Sequence, residues 1–235
     1  QNRVRITAGG DRLEYDGDVS TSVSGLETFK SLLNSTVSTP GAKMLTGDIQ
    51  NMYLNSFLGK PEYMKFAVEL IPKNIFDHYN LGPLVHNGFV YARINKALYG
   101  LKQSGKIAND DLIKHLATKG YHAAKITEGL FVHETRPTCF TLVVDDFAVR
   151  YQSKEDAEHL IDCISEKYPF KVDWEAKQYI GINLDWNYTK REVKMSMKGY
   201  VKQALMEFKH LCPKQHHYGP SKMIRPDFEQ KIQYV

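Results

Sequence analysis

Two short apolar segments that favour β-strands meet at a pair of adjacent aspartates, and no other feature constrains the fold of this chain as strongly. Thr-Leu-Val-Val at 141–144 leads into Asp145 and Asp146, and Phe-Ala-Val at 147–149 follows them. Two such segments joined by turn-forming residues predict a β-hairpin with the aspartates at its tip. Aspartate is an ordinary turn residue, so the pair alone implies no chemistry. A third carboxylate, Asp48, ends another apolar segment about a hundred residues earlier.

The pattern of apolar residues around these aspartates predicts alternating strands and helices. Strands are predicted at Lys43–Ile49, Thr138–Val144, Phe147–Tyr151 and Lys177–Trp186. Helices are predicted after Gly105, ending at about Lys119, and after Ser153. Residues 58–95 lack a clean period and are predicted to form an irregular insertion with extended pieces at Tyr63–Val68 and Phe89–Ile94. Without this insertion, residues 43–186 have the order βαββαβ. That order predicts an α+β fold, a ferredoxin-like antiparallel sheet with both helices on one face.

Four further elements are predicted outside this unit. They are a strand over residues 3–7, a helix carrying Leu26, Phe29 and Leu33, a strand at Val193–Met197 that pairs with the strand before it, and a last helix at Tyr200–Phe208. The segment that begins at Pro213 is polar and contains prolines, which is typical of a linker.

The predicted topology brings the distant carboxylates together. A right-handed first crossover places the third strand between the first and the second, antiparallel to both. The end of the first strand, with Asp48, then lies beside the hairpin tip that carries Asp145 and Asp146. Three clustered carboxylates repel each other and destabilise the fold. Because a pair of divalent cations relieves that repulsion, the sequence predicts a metal site for phosphoryl transfer.

Composition limits the class of protein less sharply. The 235 residues carry a net charge of +4, which is compatible with a nucleic-acid partner but does not require one. There is no long apolar run and no signal peptide, so a soluble intracellular protein without a membrane partner is expected. Three widely spaced cysteines predict reduced thiols. The chain starts without Met, directly in a predicted strand, which suggests a piece of a longer polypeptide.

The residues alone leave other interpretations open. The same sheet supports an RNA-recognition motif, for which Phe140, Phe147 and Tyr151 would supply stacking aromatics. A different two-metal enzyme, such as a nucleotide cyclase or a nuclease, is a further alternative. Separately, a zinc site or a flexible polar linker could account for four residues near the C-terminus, namely His210, Cys212, His216 and His217. The linker is the simpler interpretation because the segment holds one cysteine and is interrupted by proline.

Five segments in fixed order resemble the reverse transcriptase of copia-type (Pseudoviridae-like) LTR retrotransposons, a part of the Pol polyprotein. They are Asp48–Asn55, Glu62–Met64, Lys96–Gln103, Val143–Asp146 and Tyr179–Ile182. The resemblance extends from Arg3 to about Phe208 and implies a right-hand polymerase fold with fingers and palm. The implied division is fingers at 1–42 and 58–103, palm at 43–57 and 104–198, and the start of a thumb or connection, with the linker, at 199–235.

The resemblance also implies a role for individual residues. Asp48, Asp145 and Asp146 correspond to the catalytic metal-binding aspartates, and Ile49 would add its backbone carbonyl. They would hold two Mg²⁺ ions, with Mn²⁺ as an alternative. Tyr53 corresponds to an aromatic ring that excludes a ribose 2′-hydroxyl, so that deoxynucleotides are the expected substrates.

Further positions would contact the substrates. Arg3 or Arg5 would contact the triphosphate. Tyr99 and Gly100 would line the incoming nucleotide. The remaining implied contacts are with template and primer, at Lys102, Gln103, Tyr179 and Gly181.

The implied function is RNA-directed DNA polymerisation by two-metal phosphoryl transfer, on an RNA or DNA template with a primer and dNTPs. A catalytically silent, decayed or domesticated nucleic-acid-binding module is the alternative. RNase H and integrase would be partners from the rest of a Gag-Pol polyprotein, in a cytoplasmic virus-like particle with a possible nuclear step. The chain departs from the family at Val143, where an aromatic is usual, and at Ser104-Gly105, where Ala-Pro is common.

Overall fold

The computed structural model describes residues 6–208, and these form five α-helices, four short 3-10 helices and eleven strands. The helices are α1 (Leu26–Ser38), α2 (Lys73–His78), α3 (Ser104–Ala117), α4 (Lys154–Ser165) and α5 (Lys198–Phe208). The strands are β1 (Lys43–Ile49), β2 (Phe57–Ala67), β3 (Phe89–Lys96), β4 (Tyr121–Ala123), β5 (Leu130–His133), β6 (Cys139–Val143), β7 (Asp146–Tyr151), β8 (Phe170–Asp173), β9 (Gln178–Tyr179), β10 (Ile182–Asn187) and β11 (Glu192–Ser196).

A six-stranded antiparallel sheet forms the centre of the fold, in the order β4-β5-β6-β7-β1-β8. Four adjacent strands at one end of this sheet, β6-β7-β1-β8, form a ferredoxin-like unit, with α3 between β1 and β6 and α4 between β7 and β8 in the chain order βαββαβ. As predicted, the third strand of this unit, β7, lies between β1 and β6. The predicted α+β class and the place of the hairpin in the sheet are therefore confirmed. The predicted hairpin tip was wrong by one residue, because the turn consists of Val144 and Asp145, and Asp146 already pairs with Val143 as the first residue of β7.

The prediction for the fourth strand of this unit was wrong. The segment Lys177–Trp186 does not join the main sheet, and the short strand β8 pairs with β1 instead. Ile180 and Gly181 have positive φ angles of 41° and 82°, so they form a tight turn that divides the segment into β9 and β10. β10 pairs with β11, as predicted, and β9, β10 and β11 form a separate three-stranded sheet.

Both faces of the main sheet are covered. Alternate residues of β1 point in opposite directions, so Leu45 and Ile49 face one core while Met44 faces the other. The first core contains the buried sides of α3 and α4, which confirms that these two helices share a face. The second core is formed by α1 together with β9 and β10, including Tyr179. Burying each large apolar side chain contributes about 2 kcal/mol, which fixes the sheet between two layers.

The insertion is more regular than its sequence suggests. β2 and β3 form a two-stranded antiparallel ribbon that contains both predicted extended pieces. Between them lies α2, which the sequence analysis did not predict. This helix begins directly after Pro72, a residue that is favourable next to a helix start because its φ angle is preset.

Some predictions fall partly or wholly outside the described residues. Arg3 and Arg5, most of the strand predicted over 3–7, the candidate zinc ligands and the linker from Pro213 lie there. Within residues 6–208, Cys139 and Cys163 are free thiols, and no helix is long and apolar enough to cross a membrane. The last helix is confirmed and begins two residues earlier than predicted.

Candidate active site

The structure brings the three predicted carboxylates together. Asp48, the penultimate residue of β1, is the direct cross-strand partner of Asp146, the first residue of β7. Directly opposed residues of an antiparallel pair project from the same face, here the face of the second core. Asp145 lies in the turn immediately before Asp146, and its carbonyl accepts a hydrogen bond from the Ile49 N–H at 3.0 Å. All three aspartates are partly exposed.

A strained turn holds Asp145 and Asp146 in these positions. β6 ends at Val143 and β7 begins at Asp146, so the hairpin loop consists of Val144 and Asp145 alone. Val144 has a φ angle of +57°, a conformation that a β-branched residue rarely adopts. Such a residue costs on the order of 1–3 kcal/mol and is characteristic of functional sites.

The site also has unfavourable electrostatics in the absence of a cation. The pKa of Asp146 is raised to about 6, first by burial and then by the charges of Asp145 and Asp48. The ionised form of this carboxyl is therefore less stable than that of an ordinary aspartate. A bound divalent cation would reverse the effect.

Two surface depressions meet at Asp48. The larger has a volume of about 810 Å³ and is lined by Asp48, Asp145, Asn51 and Tyr99, among others. The smaller has a volume of about 390 Å³ and adjoins Asp48 and Asp146 on the other side. The two aspartates of the hairpin therefore face different spaces, and Asp48 borders both.

Lys171 is a residue of this site that the sequence analysis missed. It lies on β8 directly opposite Asp48 and lines both depressions. A lone lysine in a strand that was itself not predicted carries no motif, so only the β1–β8 pairing reveals it.

The predicted nucleotide-side residues lie near the larger depression. Tyr53, in a 3-10 turn after β1, packs against Tyr99 with ring centroids 4.7 Å apart. Gly100 has a φ angle of +93°, and an added Cβ would come within 2.0 Å of the Ala8 carbonyl oxygen. The segment that contains Ala8 therefore packs directly on the Tyr99-Gly100 loop, where its N–H donates to the Tyr99 carbonyl at 2.7 Å.

The predicted template and primer residues are placed differently from one another. Lys102 is exposed, whereas Gln103 is buried and its side-chain amide donates to Glu62 Oε1 on β2 at 3.1 Å. Tyr179 is also buried, and its hydroxyl accepts a hydrogen bond from Thr141. Burial raises the pKa of Tyr179 to about 12. Gly181, the other predicted primer residue, lies in an exposed turn that lines the smaller depression.

The donor set suits a hard divalent cation, because carboxylate oxygens are the ligands that Mg²⁺ and Mn²⁺ prefer. The mutual repulsion at Asp146 is the electrostatic situation that such a cation would relieve. Among residues 6–208, however, no three His, Cys, Asp or Glu side chains are already arranged as a metal-ligand set. The carboxylate groups of the three aspartates and their common location fit a divalent cation, although the side chains as placed do not enclose one.

A ferredoxin-like sheet with carboxylates at the end of its first strand and in the adjacent hairpin is the arrangement expected for the palm of a nucleotidyltransferase. The sequence model of the RVT_2 family, described as "Reverse transcriptase (RNA-dependent DNA polymerase)", matches residues 7–220. The chain therefore belongs to this reverse transcriptase family, and the resemblance seen in the sequence is confirmed. Membership favours the polymerase interpretation over an RNA-recognition motif, a cyclase or a nuclease, and it does not favour the silent alternative.

Solved structures that align with part of this chain include telomerases. Telomerase from Candida albicans, in complex with a TWJ fragment of telomeric RNA, aligns with a TM-score of 0.44 and 11% identity over 74% of this chain and 34% of that chain. Apo telomerase from Candida tropicalis aligns with a TM-score of 0.40 and 15% identity over 74% of this chain and 37% of that chain. This chain thus spans little more than a third of their length. Similarities at this level do not establish a shared activity or partner.

Proposed function

We propose that this chain is the RNA-directed DNA polymerase domain of a copia-type LTR retrotransposon, which extends a primer with dNTPs on an RNA or DNA template. The observation that carries the proposal is the direct pairing of Asp48 with Asp146 across β1 and β7, with Asp145 in the strained turn between β6 and β7. This arrangement occurs in a chain whose family consists of reverse transcriptases.

Asp48, Asp145, Asp146 and the Ile49 carbonyl would hold two Mg²⁺ ions. When bound, these ions lower the pKa of the primer 3′-hydroxyl and neutralise the triphosphate and the leaving pyrophosphate. The protein contributes to catalysis by positioning the reactants and stabilising charge, since phosphoryl transfer of this kind needs no covalent intermediate.

The two depressions suggest how the substrates are separated. The larger depression, next to Asp145 and Tyr99, is the proposed site of the incoming dNTP, where the Tyr53 ring would exclude a 2′-hydroxyl. The smaller depression, next to Asp146 and Gly181, is the proposed site of the primer end. Lys171 borders both and would attract the phosphates that approach from either side.

The proposal includes a cellular setting. We place the domain in a Pol polyprotein with RNase H and integrase, acting in a cytoplasmic virus-like particle with a nuclear step. The support for this setting is the copia-type sequence resemblance.

The decisive test is dNTP incorporation on an oligo(dT)-primed poly(rA) template with Mg²⁺ or Mn²⁺. We expect incorporation by the wild type and a loss of at least about a hundredfold in Asp145→Asn, because a neutral amide cannot hold the cations. The matched control is Asp185→Asn, because Asp185 is an exposed aspartate on β10 that lines neither depression. This variant should retain activity. Equal rates for Asp145→Asn and wild type would refute the assignment of the site. Duplex binding without incorporation by any variant would instead support the silent alternative.

A further inference from the structure

The β2–β3 ribbon carries aromatic and cationic residues on one of its two faces. The strands pair Tyr63 with Arg93, Lys65 with Tyr91 and Ala67 with Phe89. Because alternate residues of a strand project to the same side, these six side chains share one face, which we call the outer ribbon face. Three of the six are aromatic, two are cationic and none is acidic.

The outer ribbon face is accessible and its positive charge is not neutralised. Tyr63 is 63% exposed and Tyr91 is 55% exposed, and both cations are exposed. The Lys65 ammonium lies 3.7 Å from the centre of the Phe89 ring. Among the residues that the structure describes, neither Lys65 nor Arg93 lies within 4.0 Å of a carboxylate.

The opposite face of the ribbon is already occupied. Glu62, the neighbour of Tyr63, accepts a hydrogen bond from Gln103 at 3.1 Å, and Val90 is 4% exposed. That side therefore faces the loop to which the template contacts Lys102 and Gln103 were assigned. The outer ribbon face points away from this loop, so it is not part of the proposed catalytic cleft.

The chemistry of the outer ribbon face matches one class of partner. Tyr63 and Tyr91 are diagonal neighbours, which places them about 7–8 Å apart, within reach of successive unstacked bases. Exposed aromatic rings next to cations bind single-stranded nucleic acid, because the rings stack on bases while the cations contact phosphates. A duplex hides its base faces and cannot use the rings. An acidic protein surface would use the cations but leave the tyrosines without a role.

We propose that the outer ribbon face is an accessory binding surface for single-stranded nucleic acid, separate from the catalytic site. Binding of a single strand to the outer ribbon face does not require polymerase activity. It would hold an unpaired strand on the outside of the predicted fingers, where it neither blocks nor requires occupation of the two depressions.

The test measures binding of fluorescent oligo(U) and oligo(dT) of about 15 nucleotides, and of a blunt duplex of equal length, by fluorescence anisotropy in EDTA. The key variants are Tyr63→Ala/Tyr91→Ala and Lys65→Gln/Arg93→Gln. The matched controls are Tyr79→Ala/Tyr200→Ala, two tyrosines that are 64% and 67% exposed elsewhere, and Lys125→Gln/Lys190→Gln. Circular dichroism of each variant checks that it is folded.

We expect the tyrosine pair to weaken single-strand binding by at least about tenfold while duplex binding changes little, and the controls to match the wild type. The Lys65→Gln/Arg93→Gln variant should bind single strands more weakly than wild type, and its affinity should depend less steeply on salt concentration. Tighter binding of oligo(U) than of oligo(dT) would identify RNA as the natural ligand, and the reverse would identify DNA. Wild-type affinity in the tyrosine variant, or an equal loss for the duplex, would overturn the proposal. So would a wild-type protein that binds neither oligonucleotide.

Discussion

Replacing Gly47 by alanine tests whether β8 positions the catalytic strand. Gly47 precedes Asp48 in β1 and is buried where β1 passes over Phe170 of β8. A Cβ atom at this position would lie 2.1 Å from Phe170 Cζ and 2.8 Å from each Cε atom. The φ angle of Gly47 is not in the left-handed region, so the effect of the substitution is steric.

The size of the effect follows from these distances. Carbon atoms in contact are about 3.5–4.0 Å apart, so the ring must move by roughly 1.5 Å. Phe170 packs edge-on against Phe147 in the first core, with ring centroids 5.3 Å apart, and cannot move without disturbing this contact. Overpacking of this kind costs about 1–3 kcal/mol, and we expect Gly47→Ala to lower the free energy of unfolding by about 2 kcal/mol. A displacement of about 1 Å at a reacting group costs on the order of a hundredfold in rate, so incorporation should fall at least about tenfold.

Two comparisons make this prediction specific. Urea unfolding in EDTA gives the stability, and dNTP incorporation by the folded fraction gives the activity. Gly59→Ala is the matched control, because a Cβ at Gly59 would meet no atom within 4 Å. In a Phe170→Leu background, which lacks the obstructing Cζ and Cε atoms, Gly47→Ala should cost less than about 0.5 kcal/mol. If Gly47→Ala lowered the free energy of unfolding equally in the wild-type and the Phe170→Leu backgrounds, the steric explanation would be refuted. Unchanged incorporation per folded molecule would refute the link between β8 and the carboxylates.

Three further predictions address the site. Tyr53→Ala should accept ribonucleotides in a competition assay, because the ring proposed to exclude the 2′-hydroxyl is gone; unchanged discrimination would remove Tyr53 from that role. In EDTA, Asp146→Asn should be more stable than wild type by about 1 kcal/mol above pH 6 but not below pH 4. The pKa of Asp146 is raised from 3.8 to about 6 in the folded protein, so ionisation of this carboxyl destabilises the folded state of the wild type as the pH rises through this range. Partial exposure of the side chain reduces the effect. Thermal melts at both pH values check this, and equal differences would contradict it. Primer–template affinity should fall with rising salt, as phosphate contacts require, and a flat response would argue against a nucleic-acid groove.

The carboxylate cluster could be predicted from sequence because few topologies satisfy the pattern. Once the chain has the order βαββαβ, the right-handed crossover leaves one place for the strand after Asp145, next to the strand that ends at Asp48. The structure confirms this pairing residue by residue, with Asp48 opposite Asp146. Strong local signals, such as the side chain of Ser153 that accepts the Asp156 N–H at the start of α4, also predicted the helix correctly.

The fourth strand could not be predicted because its local signal is weak and its partner is distant. Phe-Lys-Val-Asp at 170–173 is too short to show a period, and its identity as a strand depends on pairing with β1. The longer apolar alternation at 177–186 gave the stronger signal but contains the turn at Ile180 and Gly181. Lys171 was missed for the same reason. Gln103 and Tyr179, assigned to template and primer by resemblance, are buried, which only the packing of the whole chain reveals.

A comparison of two aspartates indicates which one the fold itself requires. Asp156 is bonded to Ser153 and Arg136, and these partners lower its pKa, as expected for a carboxylate that stabilises the native state. Asp146 makes no side-chain hydrogen bond or ion pair with any residue in 6–208, and its pKa is raised. Its position is set by the backbone, through the pairing of β7 with β1 and with β6. A carboxylate that is held in place, partly buried next to like charges and unsatisfied by its surroundings costs stability, and such groups cluster at functional sites. Asp146 is therefore better explained by a ligand that the chain must bind than by any contribution to the fold.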